Sequence, residues 1–68
     1  MWKVVLMICS LGNPCVVMEE DPMKHYNKLD DCLAVAHQKE ADVIATFTQY
    51  GYAVTETSAN CEQDPNAL

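Results

Sequence analysis

The chain contains no arginine, and its four basic residues are lysines set against ten acidic residues. The formal net charge at pH 7 is −6. Affinity for a nucleic-acid backbone is built from clustered Lys and Arg side chains that neutralise phosphates. The composition therefore argues against direct nucleic-acid binding and favours a partner with a basic surface.

Long hydrophobic runs are also absent. Lys3 followed by apolar residues 4–9 has the order of a signal peptide, but this run is shorter than the about 7 to 15 residues of a signal-peptide core. No stretch approaches the about 20 apolar residues of a membrane-spanning helix. We therefore expect residues 1–15 to belong to the fold and expect no membrane span, while the localisation stays open.

The short length, 68 residues, leaves room for one domain with a thin core. Half of the residues are hydrophobic, which favours a globular fold over general disorder. We predict a single domain over residues 1–61. The last residues, 62–68, are polar and include Pro65, so they are predicted to form a frayed C-terminal tail.

Residues 28–50 have the pattern of one long amphipathic helix. Asn27 is the predicted N-cap, with Asp30 and Asp31 beside the positive helix end. Its apolar stripe consists of Leu29, Cys32, Leu33, Ala36, Val43, Ile44, Phe47 and Tyr50. Glu40 projects from the middle of this stripe and is the predicted buried carboxylate, which needs a hydrogen-bond donor or water.

The end of this helix is marked by Gly51, which can adopt the left-handed conformation that terminates a helix. Tyr52 would then return onto Phe47 as the apolar contact of a Schellman motif. Residues 52–57 alternate in polarity and predict a β-strand that follows the helix.

Two further strands are predicted before the helix. Trp2–Ser10 is rich in β-branched and large apolar residues at both odd- and even-numbered positions, so both faces of the strand are apolar. This is typical of a central strand. Gly12, Asn13 and Pro14 provide a turn, and residues 15–20 form a second strand of the hairpin. The predicted fold is α+β with two layers: β-β-α-β, a three-stranded antiparallel sheet of order 2-1-3, and one long helix on one face.

A single helix covers one face of such a sheet. The row Trp2, Val4, Leu6 and Ile8, joined by Val16 and Met18, is predicted to lie under the helix. Val5, Met7 and Val17 then form an apolar strip on the open face. Exposed apolar strips are usually covered, so we predict that a protein partner or a second copy of the chain binds there.

The four cysteines are far apart in the sequence, and none forms the close C-x-x-C pair typical of a zinc site. Their even number in so short a chain favours two disulfides in an oxidising compartment, with reduced thiols and a metal site as alternatives. The ends of the predicted elements place Cys9 near Cys15 across the hairpin. They also place Cys32 near Cys61 at the opposite pole.

Candidate catalytic groups are sparse. His37 and Glu40 lie about one helical turn apart, but two such residues without a third ligand are a weak metal or acid–base signal. Cys32 and His37 fall on different helix faces, and no oxyanion loop is recognisable. We therefore predict no catalytic residues, no metal or cofactor site and no enzymatic activity.

The acidic segment Glu19-Glu20-Asp21 lacks the alternating oxygen ligands and central glycine of a calcium loop. The predicted topology places it at the same pole as four other carboxylates: Asp30, Asp31, Glu62 and Asp64. Such a pole can meet a basic protein surface, imitate nucleic acid, or simply favour solubility. Glu19, Glu20 and Asp21 are therefore candidate interaction residues.

The layout resembles a group of uncharacterised short proteins of marine bacteriophages and marine bacteria. The shared features are the Cys9-Ser-Leu-Gly-Asn-Pro-Cys15 hairpin, Tyr26 shortly before the helix, Cys32 in its first turns and Cys61 near the C-terminus. The resemblance implies an accessory factor that binds and modulates a host protein. The alternatives are a nucleic-acid-mimicking inhibitor and a small structural protein stapled by disulfides.

Overall fold

The computed structural model describes residues 1–20 and 24–65 of the chain. Within these ranges the elements are β1 (Trp2–Ser10), β2 (Val16–Glu19), α1 (Leu29–Gln49) and β3 (Val54–Gln63). The strands form one antiparallel sheet of order β2-β1-β3, with α1 packed on one face. The predicted α+β fold, with β1 as the central strand, is confirmed.

The hairpin between β1 and β2 reverses where the turn residues predict it. Gly12 has φ of 81°, a left-handed conformation that glycine adopts without steric cost. The two strands then pair over a short segment, from Ile8↔Val16 to Val5↔Glu19. β2 is thus a short strand at the edge of the sheet.

β3 is longer than the sequence predicts. It pairs with β1 from Ser10↔Val54 to Trp2↔Gln63, and the backbone N–H of Asp64 donates to the carbonyl of Met1 at 2.8 Å. The prediction that β3 ends at Thr57, with a frayed tail from residue 62, is therefore wrong, because the free edge of β1 supplies backbone partners along its whole length. Residues 66–68 of the predicted tail lie outside the described residues.

α1 begins one residue later than predicted. Lys28 occupies the N-cap position in an extended conformation, with φ −113° and ψ 138°, and no side chain of the described residues caps the helix. The assignment of Asn27 as the cap is therefore wrong. Asp30 and Asp31 lie in the first turn, where their charges interact favourably with the positive helix end.

The C-terminal end of α1 is the predicted Schellman motif. Gly51 has φ of 90°, its N–H donates to the Thr48 carbonyl at 3.0 Å, and the N–H of Tyr52 donates to the Phe47 carbonyl at 3.0 Å. The rings of Phe47 and Tyr52 lie with centroids 5.4 Å apart. The helix therefore ends on backbone and aromatic contacts together.

The core lies between α1 and the central strand. Val4, Leu6 and Ile8 of β1 are buried, and the small helix residues Cys32 and Ala36 are fully buried against the sheet. Burying a Val, Leu or Ile side chain contributes about 1.5 to 3 kcal/mol, so these few residues provide much of the hydrophobic stabilisation. The partly buried side chains around this core are Trp2, Met18, Tyr26, Val35, Val43, Ala59 and Cys61.

The helix does not lie over the whole sheet. Among the described residues, α1 packs against β1 and β3 but not against β2. Val16, which the sequence pattern predicts to lie under the helix, consequently remains 46% exposed. That part of the prediction is wrong because α1 is displaced toward the β3 edge.

Both disulfides join the predicted partners. Cys9 is bonded to Cys15, six residues away, and Cys32 to Cys61, 29 residues away. The first closes the hairpin, and the second fixes the start of α1 to the end of β3. The two bonds therefore constrain opposite poles of the domain.

Replacing both Cys32 and Cys61 by Ala should lower the free energy of unfolding by about 3 to 4 kcal/mol, because their disulfide closes a long loop in the unfolded chain. The matched control replaces both Cys9 and Cys15, whose disulfide closes a much shorter loop. On the same relation, it should lower the free energy of unfolding by about 2 to 2.5 kcal/mol. Urea denaturation monitored by circular dichroism measures both values. Equal losses, or a larger loss for the hairpin pair, would contradict this assignment of roles.

Gly51→Ala should lower the free energy of unfolding by about 1 kcal/mol, since a residue with a Cβ is disfavoured at positive φ. A Cβ at this position would meet no described atom within 4 Å, so the loss reports the backbone conformation alone. Gly51→Asn serves as the control and should lose less, because asparagine tolerates this conformation. An alanine variant as stable as the wild type would show that the helix does not depend on this cap.

Candidate interaction surface

The face of the sheet opposite α1 carries the odd-numbered residues of β1 and their cross-strand partners. Paired residues of antiparallel strands share a face, so the register fixes its membership. We call this surface the open face. Its residues are Lys3, Val5, Met7 and Cys9 of β1, Cys15, Val17 and Glu19 in and before β2, and Glu56, Ser58, Asn60 and Glu62 of β3.

The centre of the open face is apolar. Val5 and Met7 are half-buried, and Val17, which pairs with Met7, is 66% exposed. The Cys9–Cys15 disulfide continues the strip toward the hairpin turn, with Cys9 buried. The structure thus places the three apolar residues singled out by the sequence side by side, on the face that α1 leaves uncovered.

The border of the open face is acidic. Glu19 lies on β2, while Glu56 and Glu62 lie on β3 opposite Cys9 and Lys3. Lys3 Nζ is 3.2 Å from Glu19 Oε1, and this hydrogen bond raises the pKa of the lysine. Among the described residues of the face, this single ammonium group opposes three carboxylates, so the border carries net negative charge.

The acidic segment after β2 is tied to the start of α1. Tyr26 returns to β1, where it exchanges two backbone hydrogen bonds of 2.8 Å with Trp2. Its hydroxyl donates to Glu20 Oε1 at 3.1 Å and to Oε2 at 3.3 Å. Glu20 is therefore a half-buried hydrogen-bond acceptor for Tyr26, and Asp21 lies outside the described residues.

Other carboxylates of the predicted acidic pole differ in their surroundings. Asp64 Oδ2 lies 3.0 Å from His25 Nε2, which joins the end of β3 to the segment before α1. Asp30 and Asp31 are exposed in the first helical turn. The acidic pole therefore contains both solvent-exposed carboxylates and a carboxylate, Asp64, that pairs with His25.

Glu40 is not the buried carboxylate that the sequence predicts. Its side chain is 24% exposed, and its Oε1 atom lies 3.9 Å from Nδ1 of His37, whose side chain is 67% exposed. The close helix–sheet contact is centred on Cys32 and Ala36, so one turn further along α1 a long side chain reaches solvent. The two groups form a surface pair.

Within residues 1–20 and 24–65, no three His, Cys, Asp or Glu side chains are grouped so that they could hold a metal ion. No helix in the same ranges is long and apolar enough to cross a membrane. The four cysteines, for which reduced thiols and a metal site were the alternatives, are all disulfide-bonded.

A second candidate surface was not anticipated from the sequence. A groove of about 280 Å³ lies between the hairpin and the end of α1, lined by Ser10, Asn13, Pro14, Val16, Phe47 and Tyr52. It exists because α1 does not extend over β2. The Schellman signal at Gly51 placed Tyr52 beside Phe47, but nothing in the sequence indicates the lateral position of the helix.

The Tyr26–Glu20 contact predicts a pH dependence. Burial, followed by the hydrogen bond and charge of Glu20, raises the pKa of Tyr26 above its ordinary value of 10.0. Because the folded state favours the neutral phenol, this contribution to stability is complete below the pKa of the unfolded chain and is lost as the pH rises through the folded-state pKa.

Glu20→Gln should move the Tyr26 titration toward the ordinary value, since it removes the carboxylate but leaves the burial. Tyrosinate absorbance followed against pH measures the shift, and Tyr26→Phe identifies which part of the titration curve belongs to this residue. An unchanged curve in Glu20→Gln would mean that the hydrogen bond contributes nothing to the shift.

Comparisons with protein-family models, with curated proteins and with solved structures gave no match to this chain. We therefore infer function from the chemistry of the open face and of the groove.

Proposed function

We propose that the protein is a small, non-enzymatic binding module that attaches to a basic surface of another protein through its open face. The observation that carries this proposal is the apolar strip of Val5, Met7 and Val17 bordered by Glu19, Glu56 and Glu62. An apolar centre that excludes water, inside a polar and charged rim, is the usual anatomy of a protein–protein interface.

The acidic border favours a basic partner over a second copy of the chain. Two open faces packed together would bring like-charged rims close to each other, in a chain whose net charge is already −6. Like-charge juxtaposition at an interface costs free energy, whereas an opposite charge accelerates association and selects the partner. Binding to a basic surface should therefore weaken as the salt concentration rises.

The rigidity of the surface supports the same function. β1 is paired on both sides, and disulfides fix the hairpin and the end of β3. A surface that is ordered before binding loses little conformational entropy on association. A chain of this size can therefore present a usable binding face.

The resemblance to short marine-bacteriophage proteins supports a bacterial host protein as the partner. Such an accessory factor would act by occupying a surface of the host protein, and this role needs no catalytic group. Steady substrate turnover that is lost on changing Cys32, His37 or Glu40 would contradict the non-enzymatic proposal.

The test replaces Met7 with Lys and Val17 with Glu in one variant, which keeps the net charge while placing two charges in the apolar strip. The matched control is Ala41→Lys with Ala45→Glu, two exposed positions on α1. Both variants should fold as judged by circular dichroism. Only the open-face variant should lose a stoichiometric partner captured from a bacterial lysate, and that partner should also be released by salt.

Light scattering of the wild type separates the alternatives. A monomer whose captured partner is lost only in the open-face variant supports the proposal. A dimer that dissociates in the open-face variant would assign the strip to self-association, and a partner retained by both variants would show that the open face is not the binding site.

A further inference from the structure

β2 is an edge strand, so one of its sides is available for backbone hydrogen bonding. In the sheet order β2-β1-β3 it pairs, among the described residues, with β1 alone. In an antiparallel pair, alternate residues direct their N–H and C=O groups toward the neighbouring strand, and the others direct them outward. The outer edge of β2 therefore presents peptide groups in the arrangement that an additional strand requires.

The side chains of β2 distinguish it from the other edge of the sheet. Val16 and Val17 project to opposite faces and are 46% and 66% exposed. Residues 55–63 of β3 are mostly polar or acidic side chains, which discourage pairing with another chain. β2 is only four residues long and carries one charge, Glu19, but it contains neither lysine nor proline, two residues that often protect an edge strand.

The groove of about 280 Å³ lies directly beside β2 and on the same side of the sheet as α1. Val16 pairs with buried Ile8, so it belongs to this side, and it lines the groove with Pro14, Phe47 and Tyr52. A residue of an added strand opposite Val16 would share its face and project toward the groove. The groove is lined mainly by apolar and aromatic side chains, with Ser10 and Asn13 supplying polar atoms.

The far end of β2 has the opposite chemistry. Glu19 lies three residues after Val16, so it projects to the open face, and its side chain remains 43% exposed despite the contact with Lys3. A residue of an added strand opposite Glu19 would therefore meet a partly solvated carboxylate. A lysine or arginine side chain complements that charge.

We propose that an extended peptide segment of the partner protein binds along the outer edge of β2 as a fourth strand, with an apolar side chain in the groove and a basic side chain beside Glu19. The inference rests on the proposed function in that the partner is a protein, but it uses a different surface from the centre of the open face. Backbone hydrogen bonds would supply affinity, and the two side chains, three residues apart, would supply specificity.

The test uses a displayed library of random peptides, each long enough to span β2, selected against the full-length protein with both disulfides intact. Enriched sequences should share an apolar residue and a Lys or Arg at a spacing of three residues. A synthetic peptide carrying that consensus is then the probe for all affinity measurements.

Variants of the protein separate the edge from the open face. Val16→Lys should weaken binding of the consensus peptide by about tenfold or more, because it places a charge in the groove. Leu11→Lys is the matched control, since Leu11 is an exposed apolar residue of the same hairpin that does not line the groove, and it should leave the affinity unchanged. Circular dichroism confirms that both variants are folded.

Backbone N-methylation of the peptide tests strand pairing itself. Methylation at alternate positions should lower the affinity by about tenfold, while methylation at the intervening positions should be tolerated, because alternate N–H groups of a strand point to the same edge. This pattern distinguishes an added strand from a peptide held by its side chains alone.

Three results would each overturn the inference: no shared consensus among the selected peptides, an equal affinity for Val16→Lys and the wild type, or no alternation in the N-methyl series. If the selected peptides instead depend on Met7 and not on Val16, the edge is not used while the open-face proposal stands. If the edge binds the peptide but the captured partner is insensitive to Met7→Lys with Val17→Glu, the open-face proposal fails separately.

Discussion

The constraint on which this structure depends is that β1 is apolar on both faces, while residues 1–20 and 24–65 provide only one helix. The helix buries one row of the strand, with Val4 and Leu6 against Cys32 and Ala36, and Ile8 of the same row is also buried. The other row, with Val5 and Met7 at its centre, is left to the opposite side of the sheet. Central position, core and candidate binding face all follow from this one strand.

The thin core provides limited stabilisation, and disulfides and backbone hydrogen bonds at both poles add to it. The Cys32–Cys61 disulfide joins the start of α1 to the end of β3, and the backbone pair between Trp2 and Tyr26 brings the chain back to β1 before the helix begins. At the opposite pole, the Cys9–Cys15 disulfide and the Schellman motif at Gly51 fix the hairpin and the helix end. The open face and the groove are therefore surfaces of a constrained framework.

Local sequence signals predicted most of this fold. Apolar residues at both odd and even positions identified β1 as the central strand, and Gly51 located the end of the helix. The order of the elements predicted the sheet topology and both disulfides. The errors concern features that depend on tertiary packing. The length of β3 was set by the free edge of β1, and the exposure of Val16 was set by the lateral position of α1. The exposure of Glu40 follows from its place one turn beyond the close contact of Cys32 and Ala36 with the sheet.

The candidate surfaces were predictable to different degrees. Residue parity was enough to place Val5, Met7 and Val17 on one face, because strand side chains alternate. The acidic border on β3 required the register, which brings Glu56 and Glu62 opposite Cys9 and Lys3. The groove required the helix position, so neither its volume nor its lining could be derived from periodicity.

The central claim is that the open face is uncovered in the free protein and becomes covered by a basic protein partner. Methyl-labelled valines, observed by NMR with a soluble paramagnetic agent, test it directly, since Val17 is 66% exposed and Val4 is fully buried. We expect strong attenuation of the Val17 signal but not of the Val4 signal in the free protein, and protection of Val17 when the captured partner is added at saturation. A Val17 signal that is already protected in the dilute free protein, or that stays attenuated in the complex, would contradict it.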